Sequence, residues 1–163
     1  MAGNMHAPPK PRALRSQRDD YRVFHAIATR WADNDAYGHV NNVVYYSWFD
    51  TAVNAWLIST GSLDLESSAA IGLVVDTACS YFESVSFPAT VEIGMCVKTL
   101  GRSSVTYGIG VFRHGPHGEA IAGQNRHTAI AQGHFTHVYV DRSTRKPVPI
   151  PDQIRTRLMA IQR

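Results

Sequence analysis

The sequence predicts an α+β domain, an antiparallel β-sheet curled around a single long helix. Three features predict it. Residues 41–60, NNVVYYSWFDTAVNAWLIST, contain no Gly or Pro and set Tyr45, Trp48, Phe49, Ala52, Val53 and Trp56 at spacings of three and four, the period of a helix with a broad apolar face. One strand-like run precedes that stretch, and four follow it. The chain has 163 residues, 44% of them hydrophobic, which suits one domain that builds its core without disulfides or a metal.

The elements follow in order. Residues 1–20 carry Pro8, Pro9 and Pro11, many charges and little apolar periodicity, so they are expected to form a flexible tail, with the ordered domain over 21–163. YRVFHAIATRW, 21–31, mixes β-branched and aromatic residues and reads as a strand. In the helix that follows the polar stretch 33–42, Asn41 or Asn42 is placed to cap the start and Gly61 to end it. Its β-branched and aromatic content lowers intrinsic propensity, so packing must stabilise it. The strand-like runs are 72–87, 90–100, 103–113 and 128–140; the short link at Gly101 predicts a hairpin between the middle two. HGPHGE, 114–119, reads as a loop, and GQNRHT, 123–128, as another. Pro147, Pro149 and Pro151 break the chain before a short closing helix, DQIRTRLMAIQ.

Composition narrows the function classes. No apolar run approaches the ~20 residues a membrane-spanning helix needs, and the first residues hold no continuous apolar stretch, so a soluble, cytoplasmic protein is expected without a membrane partner. Cys79 and Cys96 each sit in an apolar run and read as free thiols. The eight histidines are scattered without a ligand set, so no metal is expected. The net charge of +3 comes largely from the ends: Lys10, Arg12, Arg15 and Arg18, then Arg142, Arg145, Lys146, Arg155, Arg157 and Arg163, which read as solvated. A nucleic-acid-binding strand face would interleave basic and aromatic residues. These strands are mostly apolar or hydroxyl-bearing, so no nucleic-acid partner is expected.

The polar stretch between the first strand and the helix, DNDAYGHVNN (33–42), is where chemistry is expected. A helix N-terminus leaves backbone N–H groups unpartnered and carries a partial positive charge. Gly38 permits a tight turn and close approach of a ligand. Amides near His39, Val40 and Asn41 would then face an oxygen that gains negative charge, and an upstream carboxylate would serve as nucleophile or as general base toward water. Acyl transfer needs those two parts together. The same residues also fit a purely structural turn, with Asp33 and Asp35 as turn formers and Asn41 as a cap.

The stretch RWADNDAYGHVNNVVYYSWFDTA resembles the signature of hotdog-fold acyl-CoA thioesterases, in particular the 4-hydroxybenzoyl-CoA thioesterase-like group. There an acid is followed by a short turn, commonly His-Val-Asn-Asn, and an aromatic-rich helix. SYFESVSFP, LGRSSVTY and GHFTHVYVDRSTRKPVPIP resemble the later strands and closing segment, so the likeness covers about 22–155. The resemblance implies an acyl-CoA thioesterase that hydrolyses a thioester to free acid and CoA. Asp35, four residues before His39, stands where the group's catalytic carboxylate sits, and Asp33 would be a solvated turn residue. The amides of His39 and Val40 would polarise the carbonyl. Gly38, Asn41 and Asn42 would hold the turn and cap, and Tyr45 would line the acyl pocket. Arg102, Ser103 and Ser104, in the hairpin turn, would contact pantetheine or phosphate. No cofactor is implied, since coenzyme A is part of the substrate. The group also implies a homodimer or tetramer whose sheet edges pair. Whether the acid works as nucleophile or general base stays open, and a non-catalytic acyl-thioester-binding hotdog protein is the alternative reading.

Overall fold

The computed structural model describes residues 14–115 and 125–163. Five strands form one antiparallel sheet: β1 (Val23–Ala28), β2 (Ala70–Tyr81), β3 (Thr90–Leu100), β4 (Ser104–His114) and β5 (Ala131–Asp141), in the order β1-β3-β4-β5-β2. One long helix, α1 (Asn42–Ser59), lies across the sheet between β1 and β2 in sequence, and a short one, α2 (Asp152–Ala160), closes the chain. Of the expected loops, 116–119 and 123–124 lie outside the described residues, while 125–128 form a turn in which Asn125 Oδ1 accepts from the His127 amide at 2.8 Å.

Strand alternation sorts the side chains. Val91, Ile93, Met95 and Val97 on β3 face α1 together with Val105, Tyr107, Ile109 and Val111 on β4, and all are buried. They meet Tyr45, Trp48, Phe49, Ala52, Val53 and Leu57 of the helix. Each large side chain so buried contributes roughly 1.5–3 kcal/mol, which offsets the modest propensity of this helix. The Asn41 side chain caps α1, its Oδ1 accepting the Val43 amide at 3.2 Å, and Gly61 leaves the helix with φ +68°.

The outer face of the sheet corrects one expectation. Residues 14–20 are not part of a tail: Gln17 bridges Thr128, the Ser16 amide donates to Gln132 Oε1 at 2.7 Å, and Arg18 pairs with Glu92. The cause is a slot made by Gly94 opposite Gly110. A Cβ at Gly110 would lie 2.6 Å from the Tyr21 ring, and one at Gly94 would lie 2.9 Å from the Phe24 ring. The two glycines thus admit Tyr21 and Phe24 against Phe112, which draws the preceding residues onto the sheet.

The basic residues near the C-terminal end are likewise not all solvated. Arg155 donates to the carbonyls of Gly101 and Arg102, and Arg142 to those of Ser68 and Leu65. Arg163 pairs with Asp20, while its amide donates to the Val97 carbonyl at 3.0 Å. Arg155 and Arg142 thus fix turns through their carbonyls, and Arg163 fixes a chain end through the Asp20 carboxylate.

One strand differs from the rest. β2 pairs with β5 along one edge only, and its residues 73–78 are exposed on both faces. It ends at Tyr81 rather than 87, because the Val40 amide donates to the Val85 carbonyl and the chain turns in toward that loop.

Candidate active site

The stretch 33–42 folds into a tight loop between a one-turn 3-10 helix (Trp31–Asp33) and α1. Asp33 anchors it. Its carboxylate is 1% exposed and accepts from the Arg30 amide (2.7 Å) and the Arg30 guanidinium (2.9 and 2.7 Å). Its carbonyl accepts the Asn41 amide at 2.9 Å. Asp33 is therefore a buried structural group and not a solvated turn residue. The bonds from Asp33 also raise the pKa of Arg30, so the guanidinium keeps its charge.

Asp35 sits differently. Oδ1 accepts from the Tyr37 amide at 2.8 Å and, at 3.4 Å, from the His39 amide, an Asx-type turn that orients the carboxylate. Oδ2 has no protein partner among the described residues. Gly38, at φ +80°, reverses the chain, its amide donating to the Asp35 carbonyl and its carbonyl accepting from Ser86 Oγ.

The helix-end amides divide into occupied and unoccupied. The Val40 amide donates to the Val85 carbonyl at 2.7 Å, and Val40 is buried. It is not available to a substrate, which corrects its expected role. The His39 amide points at Asp35 Oδ1, so it orients the acid instead of facing a ligand. Val43 and Val44 donate to the cap residue Asn41. Asn42, the first residue of α1, is the exception: its amide has no partner among the described residues.

Asp35, Val40, Asn42 and Tyr45 line one open pocket of about 340 Å³ with Tyr81, Phe82, Glu83 and Ser84. Gly38, His39 and Asn41 shape the loop without lining that pocket. Tyr45 meets the Tyr81 ring edge-on, centroids 5.0 Å apart, and the Tyr81 hydroxyl donates to the Asn42 carbonyl at 3.1 Å. Glu83 is held below the usual carboxylate range by the Arg15 guanidinium, with Arg113 adding to the effect. Burial pushes the Cys79 thiol up to about 11, so this nearby sulfur stays protonated at neutral pH and is no nucleophile. Tyr81 and Glu83 were missed in the sequence because only the fold brings the end of β2 to the start of α1.

A second cavity, about 620 Å³, shares Ser84 with the first and is lined by Val85, Phe87, Pro88, Arg113 and His114. The expected anion contacts, Arg102, Ser103 and Ser104, lie elsewhere. They occupy the β3–β4 hairpin, at the end of the sheet opposite Thr90, His114 and the Asp35 loop. The eleven residues of β4 separate the two ends, roughly 33 Å at ~3.3 Å per residue. Among the described residues no group of three or more His, Cys, Asp or Glu is placed to hold a metal ion, and no helix is long and apolar enough to cross a membrane.

An antiparallel sheet wrapped around one long helix, with a carboxylate loop at the helix N-terminus, defines a hotdog fold of the thioesterase kind. The chain belongs to the thioesterase-like superfamily, whose family model matches residues 29–158. It is similar to the PA5185 protein of Pseudomonas aeruginosa at 47% identity, covering 91% of this chain and 97% of that one with a TM-score of 0.82. The PA2801 protein of the same organism, a proposed thioesterase, is 31% identical over 83% of this chain and 96% of that one, with a TM-score of 0.70. Slr0204 of Synechocystis, a 1,4-dihydroxy-2-naphthoyl-CoA thioesterase, shares the fold at a TM-score of 0.69 and 16% identity, over 83% of this chain and 94% of that one. Among curated proteins, none matches the sequence.

Proposed function

We propose that the chain is an acyl-CoA thioesterase in which Asp35 provides the attacking or water-activating oxygen and the Asn42 amide receives the carbonyl oxygen. One observation carries this reading: Asp35 and Asn42 line the same pocket, and Asp35 Oδ2 and the Asn42 amide both lack protein partners among the described residues. The helix end adds a positive field where the oxyanion develops. Asp35 either attacks the thioester carbon, forming an anhydride that water then opens, or removes a proton from the water that attacks. In both routes the C–S bond breaks, the thiolate leaves and is protonated, and a carboxylate remains. The reaction consumes water alone, so no cofactor enters it.

The acyl group would extend past Tyr45, with Tyr81 closing the wall. The adjoining cavity at Phe87, Pro88, Arg113 and His114 supplies an apolar floor and basic groups suited to the pantetheine and phosphates of coenzyme A. The unpaired edge of β2, with Leu73, Val74 and Val75 exposed, suits pairing with a second copy of the chain, as a dimer or within a tetramer.

The test is a panel of acyl-CoA esters assayed by thiol release. Asp35→Asn is expected to lose at least ~100-fold in turnover, with an unchanged circular dichroism spectrum. Near-normal turnover in that variant would remove Asp35 from the mechanism. Tight binding of the esters with no thiol release by the wild type would leave a non-catalytic acyl-thioester binder in place of the enzyme.

A further inference from the structure

His137, on β5, projects toward the underside of α1, opposite Val105 of β4 and Val74 of β2. It is 2% exposed, and neither ring nitrogen has a hydrogen-bond partner among the described residues. Buried polar atoms without partners are rare, because each forgoes the hydrogen bonds it had in water. Burial pushes the imidazole down to about 4 against the opposing charge of Asp50, so the ring is neutral at pH 7, one nitrogen a donor and the other an acceptor. A Cβ at Gly72 would come within 3.0 Å of Nδ1, so the missing side chain there makes room for the ring.

His137 lines a partly open cavity of about 180 Å³, roughly the volume of six waters at ~30 Å³ each. Leu57, Leu63, Ile71 and Ile154 supply apolar wall, and Asn54, Ser62 and Tyr139 also line it. Arg142, also at its wall, directs Nε and one terminal nitrogen at the carbonyls of Ser68 and Leu65. The cavity lies near the C-terminal end of α1. The Asp35 pocket lies at the N-terminal end, and Leu57 is fifteen residues beyond Asn42, about 22 Å at ~1.5 Å per residue. Within one chain the two are separate.

The open edge of β2 brings them together. A β-bulge at Val75 shifts its register against β5: Val74 opposes His137, but Asp76 opposes Thr136. Before the bulge Gly72 and Val74 face α1; after it Thr77, Cys79 and Tyr81 do. Opposed residues of an antiparallel pair share a face. Two copies of β2 paired across the whole exposed run 73–78 therefore match inward Val74 to inward Thr77 and inward Gly72 to inward Cys79. The pairing sets Ala70 of one copy opposite Tyr81 of the other, with strands about 4.8 Å apart. Tyr81 lines the Asp35 pocket, while Ile71 and Gly72 line the His137 cavity.

Resting on the thioesterase reading above, we infer that the His137 cavity receives the far end of the acyl group whose thioester sits at the Asp35 pocket of a second copy, and that His137 selects acyl groups ending in a hydroxyl. A hydroxyl both donates and accepts, so it satisfies whichever ring nitrogen faces the cavity. A methyl leaves that nitrogen bare, a carboxylate only accepts and an ammonium only donates. The cavity volume limits the part beyond the strand pair to a short group.

The experiment uses the full chain and acyl-CoA esters matched in size that end in a hydroxyl or a methyl. Wild type is expected to favour the hydroxyl ester in kcat/KM by about tenfold or more, and His137→Phe to bring that ratio near one. His137→Gln keeps a donor and an acceptor and is expected to retain part of the preference. Equal ratios in wild type and His137→Phe would overturn the inference. A second arm co-purifies Asp35→Asn and His137→Phe chains as mixed dimers carrying different tags. If the two residues serve one site from different copies, the mixed dimer holds one intact site and regains hydrolysis of the hydroxyl ester with wild-type preference. No regained preference would refute the shared site and with it the inference. Absence of thiol release from every ester by the wild type would instead bring down the enzymatic reading itself.

Discussion

The Tyr81 hydroxyl donates to the Asn42 carbonyl at 3.1 Å, tying the end of the exposed edge strand to the first residue of the central helix. That bond sets one wall of the pocket against the amide proposed to hold the oxyanion. Tyr81→Phe removes a bond worth about 0.5–1.5 kcal/mol, so a two- to tenfold fall in kcat is expected, with Tm nearly unchanged. An unaltered kcat would show that the tie does not position the helix end.

Asn42 admits a sharper test. Asn41 has φ −60° and ψ 140°, the extended conformation required before proline, and Asn42 is the first helical position, where proline is well tolerated. Asn42→Pro thus deletes one N–H while keeping the helix start. A loss of ~100- to 1,000-fold in kcat is expected, as for removal of an oxyanion donor. Asn42→Ala keeps the amide and is expected to stay close to wild type. Equal rates for the two variants would move the oxyanion elsewhere.

Asp33 is predicted to matter for stability before chemistry. Asp33→Ala removes the buried carboxylate that accepts from the Arg30 amide and guanidinium, and frees the loop that carries Asp35. A fall in Tm of roughly 4–8 °C is expected for a chain of this size. Differential scanning calorimetry decides it: a Tm within a degree of wild type would mean that the pair holds nothing in place.

His137 gives stability a pH dependence of known sign. The folded ring binds a proton only near pH 4, whereas the unfolded ring does so near 6.5, because burial disfavours the charged form. Between those values the unfolded state holds more protons, so stability falls as pH falls from about 6.5 to 4. Asp141, held near 2 by hydrogen bonds from Ser143 and Thr144, loses its contribution below that window, as pH drops from its usual value toward 2. Urea midpoints measured from pH 7 to 4 should decline less steeply for His137→Asn than for wild type. Parallel curves would mean that the ring is hydrated in the native state.

The open edge of β2 is predicted to carry the oligomer. Val75→Lys puts a charge into the exposed run and is expected to yield a monomer with little activity. Size-exclusion chromatography showing an active monomer would separate edge pairing from function.

The helix and the strands were legible because their periods are strong: Trp48, Phe49, Ala52 and Val53 mark one face of α1, and β3 begins and ends as read. That Asp35 and Tyr45 lie close together was legible for the same reason, since they flank a helix start, and both line one pocket. What local pattern does not carry is the partner of each backbone group. The Val40 amide was expected to be available, but the Val85 carbonyl, 45 residues on, takes it up. Asp33 seemed a turn residue until Arg30 folded back on it. Residues 14–20 looked tail-like because their docking site is an absence, two glycines facing each other on neighbouring strands. The hairpin at Arg102 has a plausible composition for anions, and only the strand directions show that it lies far from Asp35 in its own chain.

The weave of Ile161 to Arg163 along β3 has a practical side. Val97 gives its amide to the Ile161 carbonyl and takes the Arg163 amide on its own carbonyl, so these last residues behave as a short sixth ribbon of the sheet. A purification handle or fluorescent fusion attached just after Arg163 would tug at that ribbon and, through Arg163 and Asp20, at the segment covering the outer face.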